Sequence, residues 1–204
     1  MKKGFTHVYT AKIPDKIGST CEIYPALRRE YIESAANDEV RRSRYYAWRL
    51  LEHALRESLG VDISEVKLSR NEGGAWHCPL CRFSISHTDG YVAVAISDSP
   101  VGVDIEPIRE PSAKSFAKRI MTESELSEYS SLPHAERTAY LIKTWSAKEA
   151  IFKSLGESAF LPQKIDTGNY IHTEKGLSYP EGELVLAIAH GENTRLEIYE
   201  NIAI

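Results

Sequence analysis

The spacing of apolar residues changes along this chain from a helical to a strand period, and this change constrains the fold most. Between residues 38 and 59 the apolar residues recur three and four positions apart, and Gly60 follows where a helix C-cap is expected. Between residues 80 and 106 they alternate with polar residues or form β-branched runs, which predicts strands. We therefore predict an α+β protein.

Helical signals return in the second half of the chain. Thr122 and Glu125 have the spacing of a capping box, and Met121 precedes it where a hydrophobic staple begins. This pattern predicts a helix start. A further helix is predicted from about residue 135 to residue 155, because Gly156 follows where a C-cap belongs.

A turn signal near the middle of the chain divides it into two subdomains. Asp98-Ser99-Pro100 combines residue types that favour turns. We predict an N-terminal subdomain at residues 1–99 and a C-terminal subdomain at residues 100–204, each with helical and strand-like segments. The second ends in two strand-like segments, 183–189 and 195–199.

Composition excludes several classes of protein. The chain has 204 residues, 42% of them hydrophobic and 26% charged, as in ordinary globular domains. Its net charge of −4 disfavours nucleic acid as a partner, because phosphate binding needs a basic surface. No apolar run approaches the ~18 residues of a membrane span. Three cysteines and the lack of an apolar leader predict a cytoplasmic protein without a disulfide framework.

Two acidic residues lie on one face of a predicted strand, Val101–Glu106. Side chains alternate in a strand, so Asp104 and Glu106 point the same way. Neighbouring like charges repel, and a hard divalent cation such as Mg²⁺ would offset that repulsion. A solvated edge strand with acidic outward residues explains the same pattern, and both interpretations stay open.

One stripe of the predicted second helix carries three chemically distinct side chains. Trp145, Glu149 and Lys153 are spaced i, i+4 and i+8, so they share a face. A surface ion pair beside a core tryptophan would look the same. Combined with the acidic strand, the stripe predicts a third carboxylate for a metal site and a lysine for a phosphate.

A histidine lies between two predicted strands. His87 is flanked by hydroxyl residues and followed by Gly90 in a segment predicted as a loop at residues 86–90. Such a loop binds phosphate in some proteins and is an ordinary turn in others.

Taken in order, these segments resemble the phosphopantetheinyl transferases of the type that activates nonribosomal peptide and polyketide synthases. The family patterns are Ser-His, Gly-(Val/Ile)-Asp-(Ile/Val)-Glu and Trp-x-x-Lys-Glu-(Ala/Ser)-x-x-Lys; residues 86–87, 102–106 and 145–153 match them. The resemblance implies a pseudo-twofold monomer of two similar α+β subdomains, with the active site in the cleft between them. It also implies transfer of the 4′-phosphopantetheine arm of coenzyme A to a serine of an apo acyl or peptidyl carrier protein.

The resemblance assigns catalytic roles to four residues. Asp104, Glu106 and Glu149 would hold Mg²⁺ against the pyrophosphate of coenzyme A, where the cation offsets charge on the leaving 3′,5′-ADP. Glu149 or Glu106 would accept the proton of the carrier serine. Lys153 would contact a phosphate and complete the catalytic set.

Coenzyme A binding is assigned by the same resemblance. The predicted phosphate contacts are Ser86, His87, Lys153, Arg41, Arg42 and Arg49. For the arginines, a solvated basic helix face remains an alternative. One departure from the family is Ala75, which stands where a basic residue is usual; Arg70 is a nearby substitute.

Three other interpretations remain open. Cys78 and Cys81 form a C-x-x-C, but a zinc site needs a second ligand pair that the sequence lacks, so inert buried cysteines are favoured. The acidic residues also suit a metal-dependent nuclease, against which the net charge argues. A carrier-binding module without activity is the third.

Overall fold

Two helices of 22 residues form the outer layers of the fold, and each ends at a left-handed glycine. In the computed structural model, which describes residues 4–70, 76–88, 90–112, 115–179 and 182–204, α2 spans Asp38–Leu59 and α5 spans His134–Leu155. Gly60 and Gly156 have φ of 70° and 66°, a conformation that only glycine adopts without strain. Both helix ends were predicted from these glycines.

Three shorter α-helices, nine strands and three 3₁₀ turns (Ile63–Glu65, Pro162–Lys164 and Thr167–Asn169) complete the secondary structure of the described residues. The helices are α1 (Ala26–Glu33), α3 (Phe116–Ile120) and α4 (Glu123–Ser131). The strands are β1 (Gly4–Lys12), β2 (Ser69–Arg70), β3 (Trp76–His77), β4 (Arg82–Thr88), β5 (Tyr91–Ser97), β6 (Gly102–Pro107), β7 (His172–Tyr179), β8 (Gly182–Ala189) and β9 (Thr194–Tyr199). The α+β prediction is confirmed, and the capping box of Thr122 and Glu125 starts α4 as expected.

The two main sheets have the same internal order. The first runs β4-β5-β1, with β9 added beside β1, and the second runs β7-β8-β6. In each sheet, one strand (β1 or β6) precedes a 22-residue helix, and a hairpin follows that helix. The second strand of the hairpin (β5 or β8) then pairs antiparallel with the strand that precedes the helix. This repeated connectivity is what a pseudo-twofold arrangement requires, although the axis itself stays a prediction.

The last strand crosses between the predicted subdomains. β9 pairs in parallel with β1 at the edge of the first sheet, with Phe5 opposite Arg195 and Tyr9 opposite Tyr199. The chain therefore returns to its N-terminal half. β9 belongs to the predicted C-terminal subdomain by its position in the sequence, but it lies in the first sheet.

Three of the four buried apolar clusters of the described residues lie between four layers of structure, and the fourth packs α3 against α5. α2 packs on the first sheet, the two sheets pack on each other, and α5 packs on the second sheet. The middle cluster joins Val8 and Ala93 of the first sheet to Val103, Ile105 and Leu186 of the second. Burying a side chain such as Leu186 contributes about 1.5–3 kcal/mol, so this cluster holds the two halves together.

α5 approaches β6 at a glycine. A Cβ built on Gly102 would lie 1.8 Å from the carbonyl oxygen of Ala150 and 2.8 Å from the backbone nitrogen of Ser154. No side chain fits at residue 102, so the helix backbone rests directly on the strand. This close contact fixes the distance between the acidic strand and the helix stripe.

A fully buried lysine ties α5 to its surroundings. Lys148 is 0% exposed and its Nζ lies 2.6 Å from Glu125 Oε2, while it donates hydrogen bonds to the carbonyl oxygens of Pro162 and Ile165. Burial alone would raise the pKa of Glu125, but hydrogen bonds from Lys148 and from backbone N–H groups lower it. A buried charge is tolerated here because all its donors find partners.

Among the residues that the structure describes, none of the helices has the length and apolar character needed to cross a membrane.

Candidate active site

The acidic strand and the helix stripe face each other, as the two periodicities predicted. Trp145 Nε1 donates a hydrogen bond of 3.3 Å to Glu106 Oε1, and Lys153 Nζ lies 2.7 Å from Asp104 Oδ1. Lys153 also donates to the carbonyl oxygen of Val103 at 3.1 Å. β6 and α5 thus bring residues that are far apart in the chain into one polar cluster.

β4 of the first sheet closes the other side of this cluster. Ser84 Oγ accepts the Val103 N–H at 3.1 Å, and Ser86 Oγ accepts the Ile105 N–H at 3.4 Å. These serines satisfy backbone donors on the free edge of β6, which would otherwise lie unpaired between the sheets. The candidate site therefore lies at the junction of the two halves.

Ser86 has a different partner from the one expected. Its hydroxyl is buried, 7% exposed, and donates a hydrogen bond of 2.8 Å to Asp104 Oδ1. This position makes Ser86 an orienting group for Asp104 in the structure. Its predicted contact with a phosphate of coenzyme A stays a prediction.

The carboxylates of the cluster influence one another. Burial, followed by the negative charge of Asp104, raises the pKa of Glu106 to about 7, while Trp145 and Lys153 act in the opposite direction. Burial also raises the pKa of Glu149; Lys153 lowers it and the charge of Asp104 raises it further. Such mutual repulsion shows that the carboxylates share one electrostatic environment, which is a common property of functional sites.

A divalent cation fits the donor set of this cluster. Asp104 is 4% exposed, and within the described residues its Oδ2 atom is buried without a hydrogen-bond partner. An unpaired buried carboxylate oxygen is costly, and a hard cation with oxygen ligands would satisfy it. The same part of the chain contains no group of three His, Cys, Asp or Glu side chains already arranged around a metal position. The fit is thus one of charge and donor type.

His87 lies at the end of a strand and not in a loop, which corrects the sequence prediction. β4 continues to Thr88, which pairs with Tyr91, and Gly90 in the hairpin turn has φ of 78°. Burial lowers the pKa of His87, and the positive charge of Lys153 lowers it further. The histidine is therefore held towards its neutral form beside the acidic cluster.

The arginines near His87 differ from those predicted to bind phosphate. Arg28 and Arg44 also lower the pKa of His87. Arg28 is 6% exposed, donates to the Arg44 carbonyl oxygen at 2.7 Å and lies 5.0 Å above the Tyr31 ring; Arg44 lies 3.9 Å above the same ring. The tyrosine face holds both cations on the His87 side of α1 and α2.

Two of the three predicted arginines are engaged elsewhere. Arg42 Nη1 donates to the Asp15 carbonyl oxygen at 3.0 Å. Arg49 Nη1 lies 2.6 Å from Glu52 Oε2, and Arg49 lines a separate pocket with Ile204. Arg41 and Arg42 each have a buried Nε without a hydrogen-bond partner among the described residues, and Arg41 is the one of the two with no side-chain contact to Asp15. Of the three, Arg41 retains the strongest case for a phosphate contact, and all three stay predictions. Ala75 lies outside the described residues.

A cleft of about 400 Å³ opens beside Glu106. Its walls include Trp145, Phe116, Ile142 and Arg109. Glu106 joins the cleft to the acidic cluster, and the lining is mixed, because Arg109, Glu110 and Ser112 lie beside the apolar and aromatic side chains.

Comparison with known proteins identifies the family. The model of the 4′-phosphopantetheinyl transferase superfamily matches residues 100–175, which include the acidic strand and the helix stripe. The holo-[acyl-carrier-protein] synthase of Streptococcus suis is 36% identical over 83 residues, which cover 38% of this chain and 69% of that protein. The chain belongs to the 4′-phosphopantetheinyl transferase superfamily.

Other members of the superfamily match over a shorter share of their length. The 4′-phosphopantetheinyl transferase Sfp of Bacillus subtilis is 31% identical over 117 residues, 55% of this chain and 51% of that protein. The 4′-phosphopantetheinyl transferase psf-1 of Bacillus pumilus is 30% identical over 111 residues, 53% of this chain and 47% of that protein. The chain thus spans about half the length of these two transferases.

The sequence did not assign a role in the site to one serine and two arginines. Ser84 supports β6, and the signal for it was its spacing of two from Ser86 on the same strand face. The charges of Arg28 and Arg44 act on His87 because α1 packs against α2, and the sequence carries no local signal for that packing.

Proposed function

We propose that this protein transfers the 4′-phosphopantetheine arm of coenzyme A to a serine of an apo acyl or peptidyl carrier protein and releases 3′,5′-ADP. The observation that carries the proposal is the 2.7 Å contact of Lys153 on α5 with Asp104 on β6, beside which burial and the charge of Asp104 raise the pKa values of Glu106 and Glu149. The activities that the names of the matched transferases and synthase state support the same reaction.

Each residue of the cluster has a role in this reaction. Asp104, Glu106 and Glu149 would hold Mg²⁺, which when bound supplies charge stabilisation to the pyrophosphate. Lys153 and His87 would bind the phosphate oxygens and orient them. The remaining catalysis is positioning, as in other phosphoryl transfers.

The chemistry is a displacement at phosphorus. Glu149 or Glu106 accepts the proton of the carrier serine hydroxyl, and the serine oxygen forms a bond to the β-phosphorus of coenzyme A. The bond from that phosphorus to the bridging oxygen breaks, and the electron pair leaves with 3′,5′-ADP. The monomeric state and cytoplasmic location expected from the sequence remain predictions alongside this function.

The test is the mass of the carrier protein. The protein is incubated with coenzyme A, Mg²⁺ and a panel of apo carriers; at least one carrier should gain the mass of one phosphopantetheine arm. Glu149→Gln should slow this gain by about 10²-fold or more, because the helix stripe loses a charge at the reacting phosphates.

The control is Glu136→Gln, which makes the same change at an exposed position in the first turn of the same helix. It should leave the rate unchanged, and thermal unfolding should show that both variants are folded. A Glu149→Gln variant with the full rate, or a panel of carriers that all keep their apo mass, would contradict the proposal.

A further inference from the structure

Two cysteines face each other in the connection between β3 and β4. Leu80, which lies between them, is 54% exposed, whereas Cys78 is 3% and Cys81 is 7% exposed. Both thiols are free, and Cys81 Sγ donates a weak hydrogen bond to Cys78 Sγ at 3.6 Å. The proposed transfer reaction uses neither thiol. A surface connection thus carries a dithiol whose sulfur atoms are already in contact.

The two thiols are chemically unequal. The hydrogen bond from Cys81 lowers the pKa of Cys78 to about 6; burial opposes this, and the backbone N–H groups of Leu80 and Cys81 add to it. The same contact raises the pKa of Cys81. The opposite directions of these pKa shifts favour Cys78 as the nucleophile of the pair.

Two simpler explanations account for less of this geometry. A zinc site needs further ligands, and the structure as described shows no cluster of three metal-binding side chains. Inert core packing explains the burial, but not the contact between the two sulfur atoms within a C-x-x-C segment. A C-x-x-C pair with its sulfur atoms in contact is typical of dithiols that exchange with disulfides.

We propose that Cys78 and Cys81 form a reversible disulfide by exchange with small-molecule disulfides such as oxidised glutathione. The Cys78 thiolate attacks the small disulfide, forms a mixed disulfide and releases one thiolate. Cys81 then loses its proton to solvent and attacks the Cys78 sulfur, which releases the second thiolate. The two cysteines are oxidised, and one small disulfide is reduced to two thiols.

The experiment uses a Cys21→Ser protein, because Cys21 is an exposed third thiol. It is equilibrated with mixtures of oxidised and reduced glutathione, free thiols are blocked by alkylation, and the intact mass is measured. As the fraction of oxidised glutathione rises, the mass of the protein should fall by that of two hydrogen atoms, and the protein should no longer be alkylated at either cysteine. A reductant should restore both the mass and the alkylation. A protein that stays reduced at every ratio, or that carries two glutathione adducts, would overturn the proposal.

The order of attack has its own test. Cys21→Ser with Cys81→Ser should accumulate one glutathione adduct on Cys78, because the resolving thiol is missing. Cys21→Ser with Cys78→Ser should accumulate much less adduct on Cys81. The reverse pattern would overturn the assignment of the nucleophile. These readouts do not involve coenzyme A, so the transfer reaction and the disulfide can fail independently.

Discussion

A single methyl group at Gly102 tests how closely α5 must approach β6. The added Cβ would lie 1.8 Å from the Ala150 carbonyl oxygen. An unstrained carbon–oxygen contact is about 3.3 Å, so the helix must move away by roughly 1.5 Å. Helix backbone cannot rotate aside as a side chain does. We therefore expect Gly102→Ala to lower the free energy of unfolding by at least about 1–3 kcal/mol, the usual cost of overpacking.

The same displacement affects the candidate site. Lys153 is on the displaced helix, and its 2.7 Å contact with Asp104 would be lost. A misplacement of about 1 Å typically costs 10²-fold in rate, so phosphopantetheine transfer should fall by at least that factor. Urea unfolding and the mass of the carrier, measured on the same preparation, give both effects.

The matched control is Gly176→Ala, a second strand glycine. Among the described residues, no atom lies within 4 Å of a Cβ built there, and its φ lies outside the left-handed region. This variant should be as stable as the parent or about 0.4–1 kcal/mol more stable, since alanine restricts the unfolded chain. If Gly102→Ala behaved like Gly176→Ala, the close contact between α5 and β6 would be refuted.

Two further predictions concern buried charges. Lys148→Met should lower the free energy of unfolding by about 3–5 kcal/mol, because the buried carboxylate of Glu125 loses its counter-charge and keeps only its hydrogen bonds from Thr122 and Thr167. Adding Glu125→Gln should recover part of that loss, and equal stability of the single and double variants in urea would contradict this. Burial, opposed by Arg49, raises the pKa of Glu52 from 4.5 to about 7, so stability should fall as the pH rises from about 4.5 to 7, by at most about 3 kcal/mol. Glu52→Gln should remove this fall in stability. The test is urea unfolding of the parent and the variant at pH 5 and pH 8; a difference in their free energies of unfolding that is the same at both pH values would contradict the prediction.

Local signals made several elements predictable. α2 begins after Asn37, whose side chain accepts the Val40 N–H, and ends at Gly60. The capping box of Thr122 and Glu125 identified the start of α4. The alternation at β6 correctly placed Asp104 and Glu106 on one face. Each of these features depends on residues a few positions apart, so the sequence displays them directly.

Features set by long-range packing could not be read in the same way. β1 was missed because it is paired on both sides and carries no simple alternation of exposed and buried residues. Its pairing with β9 joins opposite ends of the chain. His87 was predicted in a loop because the hairpin turn after β4 is short, and the sequence does not show that the strand continues to Thr88. The burial of Lys148 has no local signal in the sequence, since its partner Glu125 belongs to another helix.

The proposed reaction depends on one divalent cation that Asp104, Glu106 and Glu149 share with coenzyme A. A crystal structure of the protein with coenzyme A and Mn²⁺, an anomalous scatterer that substitutes for Mg²⁺, measures this directly. We expect one anomalous peak within coordination distance of all three carboxylates and of a pyrophosphate oxygen. A peak elsewhere, or a bound coenzyme A whose pyrophosphate lies away from β6 and α5, would contradict the account.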